Sequence, residues 1–153
     1  MLLEIGQTIP DITLPNQEGQ ELRLKDLLGA RGGIFYFYPK DNTPGCTREA
    51  KDFQAQLPAF QELGFTVIGI SRDSVKSHVN FASKHQLGFT LLSDTEGQAC
   101  SDFGVWQEKK MCGRTSMGIV RTTFIVDTQG RVTKVYEQVK TTGHVDKLLA
   151  DLT

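Results

Sequence analysis

Hydrophobic positions along this chain change period repeatedly, and each change marks an element. Residues 11–14 and 21–24 alternate polar and apolar side chains around Asn16-Gln17-Glu18-Gly19, the pattern of a β-hairpin. The run Ile34-Phe35-Tyr36-Phe37-Tyr38 is continuously apolar and reads as a strand buried on both faces. Beyond it Glu49, Phe53, Leu57, Phe60 and Leu63 recur at helical spacing as far as Gly64, with Pro58 placed to bend the helix. Residues 65–70 make a second buried strand. Ser74 then caps a helix whose partly apolar face holds Val75, His78, Val79, Ala82 and His85, and residues 89–92 make a third strand. A short helix over 96–103 stops at Gly104, and a fourth strand covers 122–126. Asp127-Thr128-Gln129-Gly130 turns the chain into another strand over 131–136, and a last helix starts near Gly143 and carries Val145, Leu148, Leu149 and Leu152.

Strand–helix units closed by a hairpin predict one α/β domain over residues 1–153. Its plan is thioredoxin-like, a mixed central sheet with helices on both faces and an N-terminal β-hairpin. At 153 residues it can bury a full core without disulfide or metal staples. With 17 basic against 18 acidic residues and no long like-charge run, no nucleic-acid partner is expected, and a small neutral substrate fits the balance. Three cysteines without a Cys-x-x-Cys pair argue against a secreted disulfide framework and for a reducing compartment. Residues 1–6 carry no basic-then-apolar leader and no stretch approaches bilayer length, so no membrane partner is expected and the cytoplasm is the expected location.

Chemistry concentrates at Cys46, in Tyr38-Pro39-Lys40-Asp41-Asn42-Thr43-Pro44-Gly45-Cys46-Thr47, directly after the buried strand. Thr43 is a capping residue type and Pro44 suits a first helical position, which puts Cys46 in the first turn. There, unpaired backbone N–H groups and the positive end of the helix dipole favour thiolate over thiol. A cysteine after a strand is ordinarily a small packing residue; strand, proline, threonine and helix start together turn this one into a candidate nucleophile. Thr43 returns to the same side of the turn three residues earlier, so its hydroxyl serves as an N-cap, as a substrate contact, or as both. Pro39 would shield the sulfur from water. His78, His85 and His144 have no metal-ligand spacing with the cysteines, so no metal is expected, and no organic cofactor either. His78 or His85 reads as decoration of a helix, and Trp106 as core.

Pro39, Thr43 and Cys46 fit the Pro-x-x-x-Thr-x-x-Cys pattern of peroxiredoxins. With Gly69-Ile70-Ser71, Leu91-Leu92-Ser93-Asp94, Phe103-Gly104-Val105-Trp106 and Arg121-Thr122-Thr123-Phe124-Ile125-Val126-Asp127, the chain resembles the bacterioferritin comigratory protein, or Q-type, branch from about Gly6 to the C-terminal helix. The resemblance implies a thiol-dependent peroxidase reducing hydrogen peroxide and organic hydroperoxides to water and alcohols through a Cys46 sulfenic acid. It implies that Cys46 attacks, that Thr43 orients the peroxide and that Arg121 sits beside the thiolate. A guanidinium suits that place, being permanently charged and forked; without the resemblance, Arg121 reads as a surface ion-pair residue.

The departure lies in the second cysteine. Many members carry a resolving cysteine five residues after the first, where this chain has Lys51; others carry it on the helix after the next strand, and residues 74–86 contain none. Cys100, three residues before Phe103, reads as a buried inert thiol. Cys112 lies in Glu108-Lys109-Lys110-Met111-Cys112-Gly113-Arg114, which reads as a polar loop with a glycine that lets it move, and it is the candidate resolving residue against an exposed bystander. The expectation is a monomer of one-cysteine type, with Cys46 restored by thioredoxin, glutaredoxin or a low-molecular-weight thiol. The alternatives are a two-cysteine enzyme resolved by Cys112 and a peroxide sensor or holdase using the same oxidation. A thioredoxin-like disulfide oxidoreductase is disfavoured because Cys46 has no cysteine three residues away.

Overall fold

A central strand buried on both faces needs a core on each side, and the alternation of its side chains decides which residue enters which. The computed structural model describes residues 1–153, apart from the side chain of Met111. It begins with a short antiparallel hairpin, β1 (Thr13–Pro15) and β2 (Glu21–Arg23), closed by Asn16, whose Oδ1 accepts from the backbone N–H groups of Glu18 and Gln20. There follow β3 (Gly32–Phe37), α1 (Pro44–Glu62), β4 (Phe65–Ser71), α2 (Val75–His85), β5 (Thr90–Ser93) and α3 (Gln98–Asp102). The chain continues with β6 (Trp106–Met111), β7 (Arg114–Ile119), β8 (Thr122–Val126), β9 (Val132–Tyr136) and α4 (His144–Leu152).

The main sheet has the order β5-β4-β3-β8-β9. β3, β4 and β5 run parallel, with α1 and α2 as the crossovers that parallel neighbours require, while β8 and β9 add antiparallel to the other edge. Ile34, Tyr36 and Tyr38 enter one core with Phe53, Phe60, Phe81 and Val145, beneath α1, α2 and α4. Phe35 and Phe37 enter the other with Leu24, Cys100, Phe103 and Phe124. The helices therefore lie on both faces, as the uninterrupted aromatic run of β3 demands. Stacking of Tyr36 on Phe53, with centroids 4.5 Å apart, ties α1 to the strand that delivers the Cys46 loop. That loop leaves the carboxyl end of β3, where open α/β sheets place their sites.

Most expected elements stand within two residues of their sequence boundaries, and α1 continues through Pro58. The polar loop expected around residues 108–114 is instead a β-hairpin, paired at six positions from Trp106 with Ile119 to Met111 with Arg114. Arg114 to Met117 are all exposed, so the ribbon lacks the apolar alternation that marks a strand resting on a core. Its turn consists of Cys112 and Gly113 with φ of 52° and 78°, the positive values that a primed hairpin turn uses.

Gly32 opens β3 at φ +131°, and a Cβ there would fall on the carbonyl oxygen of Val126 in the neighbouring strand. Gly19 also has a positive φ, +77°, but faces open space. Chemical denaturation should therefore show Gly32→Ala losing about 3 kcal/mol or more, from overlap added to backbone strain, and Gly19→Ala only about 1 kcal/mol. Equal losses would mean that the β3–β8 junction yields and that close approach does not constrain it.

Candidate active site

Cys46 owes its position to local rules at the start of α1. Thr43 is extended (φ −90°, ψ 153°), Pro44 occupies the first turn, and the Thr43 carbonyl accepts from Thr47 N at 2.9 Å. The side chain of Thr43 does not cap the helix. Its Oγ1 instead donates to the Lys40 carbonyl at 2.9 Å, which commits the hydroxyl proton and leaves the oxygen lone pairs as acceptors. Cys46 is only 1% exposed.

Arg121 lies between β7 and β8, and its backbone carbonyl accepts from Val139 N at 3.0 Å. Its guanidinium forks: Nη1 donates to Glu49 Oε1 at 2.7 Å and Nη2 to Cys46 Sγ at 3.3 Å. Gly45 eases the approach, since a Cβ there would stand 3.3 Å from Nη2, a tight contact. Residues 46 and 49 share one face of α1 because they are three apart, so a single guanidinium spans both. Burial opposes the charge on Arg121, but Glu49 and Cys46 outweigh it and raise its titration above the ordinary arginine range. For Glu49, which is fully buried, burial outweighs Arg121 and pushes the carboxyl up to about 7. Its Oε2 has no hydrogen-bond partner among the described residues.

A second polar cluster holds the loop from the other side. Tyr38 OH donates to Asp41 Oδ1 at 2.6 Å, and Ser77 Oγ donates to Oδ2 at 2.8 Å. His78 Nδ1 lies 2.7 Å from the same Oδ2. His78 Nε2 donates to the Leu92 carbonyl at 3.0 Å; a carbonyl only accepts, so this nitrogen carries a proton. Asp41 N donates to Asp73 Oδ2, which also accepts from Ser71 Oγ, so the loop is joined to β4 and α2. Burial would raise Asp41, but its bonds to His78, Tyr38 and Ser77 leave its carboxyl below the ordinary value. Asp41, Asp73 and His78 bring ligand-type atoms within 4.8 Å of one another, yet hydrogen bonds already engage both Asp41 oxygens and both His78 nitrogens.

His78 therefore does not decorate a helix surface: it is fully buried, beside Phe81 and Ala82 on the inner face of α2, because Asp41 and Leu92 satisfy both ring nitrogens. Pro39 is half-buried and lines a groove with Trp106, which is itself half-buried and only borders the core. Cys100 is fully buried and burial pushes its thiol up, followed by Asp94. Cys112 is exposed at the tip of the β6–β7 hairpin. Glu49 was legible only as one position of the α1 stripe; a carboxylate within a buried stripe is the signal that a cation must meet it.

A buried cysteine at a helix start, approached by a guanidinium, on a thioredoxin-like sheet, defines the class as thiol-based redox enzymes. A profile of the AhpC/TSA family matches residues 5–135. A putative peroxiredoxin bcp of Coxiella burnetii is 45% identical over 99% of this chain and 100% of its own length, and peroxiredoxin Bcp of Bacillus subtilis is 44% identical over 99% and 96%. Among solved structures, Xanthomonas campestris peroxiredoxin Q superposes with a TM-score of 0.89 at 43% identity, covering 98% of this chain and 94% of that one. This chain belongs to the AhpC/TSA family, in its bacterioferritin comigratory protein or peroxiredoxin Q branch. It is a thiol-dependent peroxidase.

Glu49 supplies a pH signature. In the folded protein it keeps its proton to about pH 7, whereas its ordinary value is 4.5, so between these values the folded state binds the extra proton and stability falls as pH rises. Denaturant unfolding of wild type and Glu49→Gln across that interval should show the downward slope in wild type and its loss in the variant. Equal slopes would mean that Arg121 keeps Glu49 ionised throughout.

Proposed function

We propose that the chain reduces hydrogen peroxide and organic hydroperoxides with Cys46 as its only essential cysteine, and that an external thiol restores it. The observation that carries this reading is the Arg121 fork, which meets the sulfur at 3.3 Å and Glu49 at 2.7 Å. The Cys46 thiolate attacks the terminal oxygen of the hydroperoxide; an S–O bond forms, the O–O bond breaks, and the electron pair leaves on the other oxygen. Sulfur is oxidised by two electrons to the sulfenic acid, while the leaving oxygen takes a proton to become water or an alcohol. Arg121 stabilises the anionic sulfur and then the charge moving onto the leaving oxygen. Thr43 accepts the hydrogen of the attacked peroxide oxygen, since its own hydroxyl proton is given to Lys40. Pro39 keeps water from the sulfur.

Regeneration follows by thiol attack on the sulfenic acid, which forms a mixed disulfide and releases water; a second thiol then frees Cys46. Thioredoxin, glutaredoxin or a small thiol fits this cycle, in a monomer and in a reducing compartment such as the cytoplasm. Two features support an external thiol over Cys112. A disulfide needs the two Cα atoms within about 7 Å. Cys112 is exposed at the tip of a hairpin paired at six positions, and Cys46 is buried in the first turn of α1, so Cys46 would have to leave its buried position for the two sulfurs to meet.

One equivalent of hydrogen peroxide followed by a sulfenate-reactive probe tests the assignment. Cys46 should be labelled as strongly in wild type as in Cys112→Ser, Cys100→Ser should keep most turnover, and Cys46→Ser should lose turnover. Weak wild-type labelling with a mapped Cys46–Cys112 peptide would make Cys112 the resolving residue, and turnover surviving in Cys46→Ser would end the reading altogether.

A further inference from the structure

The Asp41 cluster behind the Cys46 loop holds a proton that hydrogen-bond geometry locates. His78 Nε2 donates to the Leu92 carbonyl, so that nitrogen is protonated. Nδ1 lies 2.7 Å from Asp41 Oδ2, and two lone-pair atoms do not approach so closely unless a proton lies between them. The buried Asp41–His78 pair therefore holds one proton more than a carboxylate and a neutral imidazole would, and its net charge is zero. Tyr38 OH and Ser77 Oγ also donate to the Asp41 oxygens, which favours the ionised carboxyl and draws the shared proton toward the imidazole.

The ionisable groups that face His78 are Asp41 on the loop, Tyr38 just past β3 and Asp73 before α2, while β5 presents a carbonyl. Oxygens of Asp41 and Asp73 and a nitrogen of His78 lie within 4.8 Å of one another. Neither carboxylate forms an ion pair with a lysine or an arginine among the described residues, so His78 is the basic group that lets the two stand side by side. What Asp41 holds in turn is the entry to the active site. Tyr38 N still pairs with the Ile70 carbonyl, and the next backbone tie is Asp41 N on Asp73. Asn42 follows with φ of 62°, a left-handed conformation that persists when its neighbours are held. Thr43 is then extended and returns its hydroxyl to the Lys40 carbonyl, closing the turn around Asp41.

We propose that His78 is a positioning residue of the peroxidase: the proton it shares with Asp41 fixes residues 40–43, and with them the Thr43 oxygen that receives the peroxide. The proposal rests on Cys46 as the peroxide-reducing thiol and Thr43 as the acceptor of the peroxide hydrogen. Proton–nitrogen correlation spectra of the reduced wild-type protein with labelled histidine test its first half. Both His78 ring nitrogens should couple to protons, with a strongly deshielded, slowly exchanging proton facing Asp41, and Asp41→Asn should remove that proton. Single-turnover oxidation of Cys46 by hydrogen peroxide tests the second half. His78→Asn should slow it roughly tenfold to hundredfold, the cost of a displaced reacting group. In a Thr43→Ala background the same substitution should cost nothing further, which a general loosening of the site would not show. Ser77→Ala, at a half-buried position, removes one donor from Asp41 and should slow oxidation by a smaller factor, so it carries the rate test if His78→Asn does not fold. A wild-type His78 ring with only one protonated nitrogen and no deshielded proton facing Asp41 would overturn the proposal. So would oxidation at the wild-type rate in the folded variant, or an undiminished loss in the Thr43→Ala background. Wild-type Cys46 left unoxidised by hydrogen peroxide would instead remove the Cys46 reading beneath it.

Discussion

The candidate site turns on a carboxylate that the fold has buried completely. Glu49 is fully buried, and a carboxylate so placed is tolerated only if it is protonated or met by a cation with hydrogen bonds. Arg121 meets it, and the rest of the guanidinium is then aimed: with Nη1 on Glu49, Nη2 falls on Cys46 Sγ. The constraint couples distant parts of the chain. α1 must present residues 46 and 49 on one face, with Gly45 easing the approach, and the link between β7 and β8 must hold Arg121 at the helix start.

The Asp41 cluster carries a complementary load. Asp41 and Cys46 flank Thr43; Tyr38 and Ser77 donate to the Asp41 carboxylate and Asp41 N donates to Asp73, which joins the loop to β4 and α2. Such a fully bonded buried network stiffens the loop that must place two peroxide oxygens in line with the sulfur.

How much of this was legible in the sequence differs by residue. The β3 run and the α1 stripe read directly, because burial on two faces and helical spacing leave plain periodicities. The setting of Cys46 was legible from Thr43 and Pro44, but the hydrogen bond of Thr43 to Lys40 was not, since capping and loop contacts use the same hydroxyl. Arg121, seventy-five residues from Cys46, came into view only through family resemblance; contact at that separation leaves no local pattern. His78 was misread because its partners Asp41 and Leu92 lie on other elements. The β6–β7 ribbon escaped for the opposite reason: it rests on no core along Arg114 to Met117, so its strands show no alternation.

In the proposed function a forked guanidinium, and not positive charge alone, readies Cys46 for oxidation. Arg121→Lys keeps the charge and removes the fork, while Arg121→Ala removes both. The second-order rate of Cys46 oxidation by hydrogen peroxide, followed in a single turnover, should fall roughly a hundredfold to thousandfold in the alanine variant, with lysine restoring only part of the loss. A lysine variant oxidised as fast as wild type would contradict the account and leave simple charge as the whole contribution of position 121.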